Sequence, residues 1–505
     1  MRNFARLILA AWLASIIPVG AMTYNSSGVY TNVEALCLAA SPGDTVTIPA
    51  GTFQWTNAVD LTGITLQGAG TNLTSIDDQT PYNGNEFPVF MHTVSGHLTR
   101  VTGIRFFSST HTSSQNFYGE IAVRNGYSYR VDHCFFDHPP NVCVGVSDYS
   151  YGVIDHCTFL TTNQPDTIKI TGAPYGDLIW SFDPAYGSTN TSYMESCYAK
   201  SDSFFTAIDS AGGGSYVCRS NVLIDFFCST HGLETGGRLR GSRYVEVYGN
   251  YADLLNCPQQ LFFDARGGTA LVFNNILTNC GIAKIQTFRT TDNDPAFAPF
   301  YGATGASGWD SNSASLLTFT ASSSSTSNLI VSGAGWTINQ WVGDEVFNTN
   351  SIGVWNGVTN NGNCGTISSN SSDTMYFYAS RAPGYQIGFT AGDVLHVHDI
   401  VPMDGIGVGT GDLLVGDNPS PTYLHQVRDP QYYWSNNVNG VMVEIKQGDS
   451  YGWARLGREF IAGIKPGYTP LVYPHPLDVP DAGGGIITNT GTLFNLGRIS
   501  SIIKQ

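Results

Sequence analysis

Val131-Asp132-His133-Cys134-Phe135-Phe136 is followed by Ile154-Asp155-His156-Cys157-Thr158-Phe159, and the phrase keeps returning. It comes back as Met194-Glu195-Ser196-Cys197-Tyr198, Arg219-Ser220-Asn221-Val222-Leu223, Tyr248-Gly249-Asn250-Tyr251 and Phe273-Asn274-Asn275-Ile276-Leu277. The Cys and Asn positions stand 23, 40, 24, 29 and 25 residues apart. Short strand-forming runs recurring about every 25 residues mark a solenoid whose rungs stack on one another. The chain therefore reads as all-β, a parallel β-helix. Cys134, Cys157 and Cys197 occupy the place that Asn221, Asn250 and Asn275 take later, so they read as small buried residues of an internal stack rather than cross-links. The remaining cysteines show no spacing that dictates a disulfide pairing or a zinc site.

Outward from this repeat, the organisation changes four times. Residues 1–21 read as a signal peptide: Arg2 and Arg6 precede the apolar run Leu7 to Val19, and Val19-Gly20-Ala21 offers a cleavage site. The run is short for a membrane span, although a retained anchor is the alternative. Residues 22–302 hold the coil, opened by a cap helix near Thr31 to Ala40 that covers the end rung's unpaired edge. Strands are expected at Thr45 to Pro49 and Ile64 to Leu66. The 40-residue interval implies a loop excursion from Thr161 to Asn190. Residues 303–400 read as an inserted β-rich domain, beginning in a Ser/Thr-rich stretch. Tyr432-Tyr433-Trp434-Ser435-Asn436-Asn437-Val438 then repeats the rung phrase, so 401–480 return to the coil and end in a proline-rich cap, with 481–505 as a tail.

Net charge is −16, moving to −18 once Arg2 and Arg6 leave with the signal. Such a surface repels nucleic acid and anionic lipid, and its surplus carboxylates suit Ca²⁺. Charged residues are only 12% of the chain, which fits an extracellular all-β protein better than a helical cytosolic enzyme.

Ala39-Ala40-Ser41-Pro42-Gly43-Asp44-Thr45-Val46-Thr47-Ile48-Pro49-Ala50-Gly51-Thr52-Phe53 and the stacked Asn and Cys positions resemble the secreted right-handed parallel β-helix proteins of the pectate-lyase-like superfamily. The resemblance covers roughly residues 28 to 300 and, more weakly, 400 to 477. It implies a fold shared by lyases, glycoside hydrolases, esterases and adhesins. The Arg-x-Pro-x-x-Arg-like signature of pectate lyases is absent from this sequence.

Aligning rungs on the Asn positions brings a second set of residues into register. Asp209, Arg238 and Asp264 are expected side by side, and Arg240 is expected beside Arg266. Rungs lie about 4.8 Å apart, so two guanidiniums there repel by roughly 3 kcal/mol. Either Asp209, Asp264, Glu234 and Glu246 offset that repulsion as a structural ion-pair network, or the arginines await an anionic sugar chain. On the second reading Arg240, Arg266, His231 and Asp264 are the catalytic candidates, and Arg238, Arg243, Glu234 and Tyr244 line the substrate. Asp209 and Asp264 would be the Ca²⁺ ligands. His231, in a Gly-rich turn, is a candidate proton-transfer group. His133 and His156 read as equivalent structural places, and Tyr244, Tyr248, Tyr432, Tyr433, Trp434 and Trp180 as packing or a sugar-stacking platform. Three functions fit: a polysaccharide lyase acting on an acidic polymer, an inverting glycoside hydrolase using Asp209 and Asp264, or a non-catalytic adhesin. The first is the leading expectation.

Overall fold

The computed structural model describes residues 20–81, 87–111, 119–162, 166–172, 183–232, 241–256, 261–285, most of 316–377, 389–398, 404–409, 427–438, 441–442 and 454–478. Residues 1–19, which hold most of the expected signal peptide, and Arg238, Arg240, Glu234, Trp180 and 479–505 lie outside them.

The fold is a parallel β-helix with three strand faces per turn. The first face is a twelve-stranded parallel sheet running from Thr23–Asn25 to Phe460–Ala462. The second and third faces form one larger sheet, because Tyr198–Ala211 and Val222–Thr230 continue from one face into the other without a break. The cap helix spans Tyr30–Ala39 and buries Val33 and Cys37. Thr45–Ile48 and Thr65–Gly68 are the expected first strands.

Each rung phrase makes the corner between the first and second faces. Its middle residue takes the left-handed backbone conformation: His133, His156, Ser196, Ser220, Gly249, Asn274 and Ser435 all have φ between 50° and 66°. Asn and Gly tolerate that conformation, and a short polar side chain bonds locally to stabilise it. His133 and His156 each place Nδ1 2.8 Å from the preceding aspartate, and their rings stack at 5.1 Å. They occupy the equivalent structural places the repeat implied.

The turn aims the next residue inward. Asn221 Nδ2 donates to Asn250 Oδ1 at 3.0 Å, Asn250 to Asn275 at 3.0 Å, and Asn275 to Asn436 at 2.8 Å. Below this ladder Cys197, Cys157 and Cys134 are buried free thiols whose Sγ atoms reach backbone carbonyls. The core between is built of columns in register. On the second face Phe106, Phe136 and Phe159 stack with centroids 5.4 and 5.0 Å apart. On the first face the column runs Val46, Leu66, Val101, Val131, Ile154, Met194.

Two expectations need correction. The loop excursion begins only after Thr171, because Asp166–Thr171 is a full third-face strand pairing with Val144–Val146 and with Tyr198–Ala211. The side of the first face bearing Tyr244, Glu246 and Tyr248 is covered rather than open. Residues 465–478 lie across it: Tyr468 Oη donates to Glu246, Arg219 donates to Leu471 O at 2.6 Å, the His475 N–H donates to Glu195 at 2.8 Å, and Arg130 donates to Asp478 at 2.7 Å. Glu246 is thereby removed from any network with the third-face arginines. The aromatic residues there are packing: Tyr248, Phe273 and Trp434 stack at 4.5 and 4.2 Å beneath Tyr468.

Between the third-face strand Gly281–Ile285 and the resumption of the first face at Gln431–Trp434, a separate six-stranded antiparallel sheet covers Leu317–His398, with its own core of Leu329, Val346, Ile367, Met375, Leu395 and Val397. Gln431–Trp434 pairs directly with Thr269–Phe273, so the rung sequence closes over the insertion. Among the described residues no helix is long and apolar enough to cross a membrane.

Two consequences can be measured. Asn250→Leu should cost at least about 2 kcal/mol in urea unfolding, since it orphans the buried Asn221 amide. Asn250→Cys should cost less, because Cys fills the same column in three earlier rungs, at Cys134, Cys157 and Cys197. Burial, and then Arg219, lower the His475 pKa to about 4. Its folded value lies below the unfolded one near 6.5, so the unfolded chain binds more protons and stability falls as pH drops from 6.5 toward 4. A His475→Asn variant should lose that part of the pH dependence of Tm.

Candidate functional site

On the third face alternate residues point inward and outward. Ile168, Ile208, Cys228 and Phe263 enter the core, and the outward column one residue later reads Lys169, Asp209, Ser229, Asp264, Lys284. Asp209 and Asp264 are two rungs apart as aligned from sequence, but Ser229 stands between them where Arg238 was expected. The cause is local. Val222–Thr230 stays extended to the end of the third face, which sets Ser229 in register with Asp264, and residues 233–240, Arg238 and Arg240 among them, lie outside the described residues. The same strand carries His231 alongside Arg266.

Asp209 is the centre of the arrangement. Its carboxylate is fully buried and takes the Lys169 ammonium as an ion-pair partner. His231 Nε2 lies 2.6 Å from Oδ2, and Arg266 Nη2 lies 3.7 Å from Oδ1. Lys169 also reaches Asp166 at 3.2 Å, and Arg266 Nε is 3.6 Å from Asp264. Arg266 is further tied by donating to Thr230 O at 3.0 Å and Ser229 Oγ at 2.8 Å, with Nη2 2.9 Å from His231 Nε2. His231 is fixed through its backbone, its N–H donating to Ser242 Oγ and its carbonyl accepting from the Ser242 N–H. Burial alone would raise the Asp209 pKa. His231 and Lys169, then Arg266, outweigh it and hold the carboxyl well below the usual range.

Arg243 and Tyr244 face elsewhere. Both are buried at the turn from the third face into the first, where they line a cavity beside Ile170 and Thr171. Lys169, which carries much of the site's charge, was not anticipated. A lone lysine within Asp166-Thr167-Ile168-Lys169-Ile170 is a visible signal, since it is a cation alternating with isoleucines on a strand, but the stretch had been assigned to a loop.

The Asp209 surroundings do not suit Ca²⁺. Lys169 and Arg266 already neutralise the carboxylate, and a dication there would face two like charges at close range. Asp264 likewise faces Arg266. A second acidic group, Asp155, His156 and Asp478, has donor atoms within 4.8 Å of one another. Arg130 fills it, bonding Asp155 at 2.9 and 2.8 Å and Asp478 at 2.7 Å.

No protein-family model and no curated protein matches this sequence. Among solved structures the coil is similar to an alginate lyase from Paenibacillus sp. str. FPU-7, at 12% identity and TM-score 0.30, over 52% of this chain and 97% of that one. It is also similar to the PL6 family alginate lyase AlyGC, at 14% identity and TM-score 0.32, over 55% of this chain and 41% of that enzyme. A third is the catalytic domain of a GH87 α-1,3-glucanase in complex with tetrasaccharides, at 14% identity and TM-score 0.28, over 55% and 62%. The strand pairing itself carries the fold assignment.

Asp209→Asn should leave two buried cations without their shared partner and cost about 3–5 kcal/mol in denaturant unfolding. A depressed carboxylate pKa stabilises fully above the ordinary value near 4 and loses that contribution as pH falls toward the folded value. The difference between wild type and variant should therefore shrink below about pH 4.

Proposed function

We infer that this chain is exported and binds an acidic polysaccharide along its third face, cleaving it by β-elimination. The observation that carries the reading is the single buried carboxylate of Asp209, which draws Lys169, His231 and Arg266 into one cluster from different turns of the coil. Three nitrogen groups held at one point of an outer wall suit a uronate unit better than a neutral sugar.

In this reading the uronate carboxylate pairs with Arg266 and Lys169, which lowers the cost of charge building on it as the C5 proton leaves. His231, oriented by Asp209, takes that proton. The C4–O bond breaks as the C4=C5 double bond forms, and the departing oxygen takes a proton from Lys169 or solvent. Hydrolysis by the same pair would use ionised Asp209 as the base and would need Asp264, which faces Arg266, as the proton donor. Export is supported by Arg2, Arg6 and the apolar run to Val19.

The test is to incubate the purified protein with a panel of uronate polysaccharides, with and without Ca²⁺, following the ultraviolet absorbance of unsaturated sugar together with reducing ends. Both should rise. His231→Gln should lower the rate by about 10²–10⁴-fold with the circular dichroism spectrum unchanged. Reducing ends without the ultraviolet rise would replace elimination by hydrolysis, and neither signal would leave an adhesin.

A further inference from the structure

A cavity of about 250 Å³ lies at the turn from the third face into the first, roughly eight water volumes. Thr171 lines it, two residues beyond Lys169 on the same strand and on the same outward side, about 6.6 Å along by strand rise. The cavity therefore opens next to the Asp209 cluster without sharing its residues.

Its wall is specialised. Tyr149 has φ 57° and follows Asp148 at 58°. Every other non-glycine residue with positive φ among the described residues is Asn, Asp, His or Ser. A bulky ring in this conformation is strained, and such strain persists where surrounding structure holds it. Here the ring rests on Gly172, where an added Cβ would sit 2.5 Å from Tyr149 Cε1 and 2.2 Å from Gly212 O. The bare glycine is what lets the ring lie there. The cavity is also lined by Thr191 and Ser215, whose hydroxyls are 2.9 Å apart, by buried Arg243 and by exposed Asn190.

We propose that this cavity is a subsite for one pyranose ring, stacked on Tyr149 and bonded through its hydroxyls by Thr191, Ser215 and Asn190. An aromatic ring and paired hydroxyls lining one cavity suit the two surfaces of a sugar, one apolar and one hydroxylated. For its ligand class the proposal rests on the polysaccharide reading above. It does not rest on turnover, because its residues are separate from the cluster.

Ligand-observed saturation-transfer NMR on the full chain tests it, with the methyl glycosides of glucuronic, galacturonic and mannuronic acid and of glucose as probes. At least one should bind in the millimolar range, and uronate against glucose shows whether the carboxylate contributes. Tyr149→Leu should weaken binding about tenfold. Asn190→Trp, at the exposed mouth, should abolish it with Tm unchanged, which keeps the test valid if the buried variant misfolds. Methyl glucoside, which has no carboxylate for the Arg266–Lys169 pair to hold, should bind Lys169→Met as it binds wild type, even if polysaccharide turnover is lost or was never present. Binding that survives both Tyr149→Leu and Asn190→Trp, or no binding of any probe to the wild type, overturns the subsite. Loss of methyl glucoside binding in Lys169→Met alone would place the sugar at the cluster and equally overturn it.

Discussion

One backbone conformation repeated at one corner governs the coil. A residue with positive φ between the first and second faces turns the chain sharply and points the following side chain into the core. Where that side chain is Asn, its amide bridges to the next rung, so register is set by hydrogen bonds as well as by apolar columns. A slip of one residue would turn the polar ladder outward and bring Lys169 and Asp209 inward. The site and the core thus depend on the same corner.

That dependence explains what could be read from the sequence. His133, His156, Ser196, Ser220 and Asn274 are the residue types a left-handed corner accepts, and Cys134 through Asn275 are small enough for the interior. The repeat showed both, and it also located the return of the coil at Tyr432 to Val438. The aligned glycines were a poorer guide. Gly212-Gly213 directly follows a third-face strand, whereas Gly241 comes after residues 233–240. Aligning the two by spacing put Arg238 at the position that Ser229 occupies between Asp209 and Asp264.

Two features escaped for a different reason. The 40-residue interval hid Asp166–Thr171, because reading the whole interval as one loop passes over Pro165 and Gly172-Ala173-Pro174, which bracket the strand. The cover over the first face was legible in principle. Val153, Tyr193, Val217 and Leu271 are apolar at outward positions, and strands apolar on both sides are buried on both.

The C-terminal segment also alters how the coil comes apart. A stack whose rungs touch only their neighbours frays from its ends. This segment starts beyond the last rung and runs backward, meeting Glu246, then Arg219, then Glu195, and finally Arg130 near the middle of the array. Loosening the terminal rung therefore pulls on contacts several turns away, and turns that would otherwise melt singly are bound into one cooperative unit.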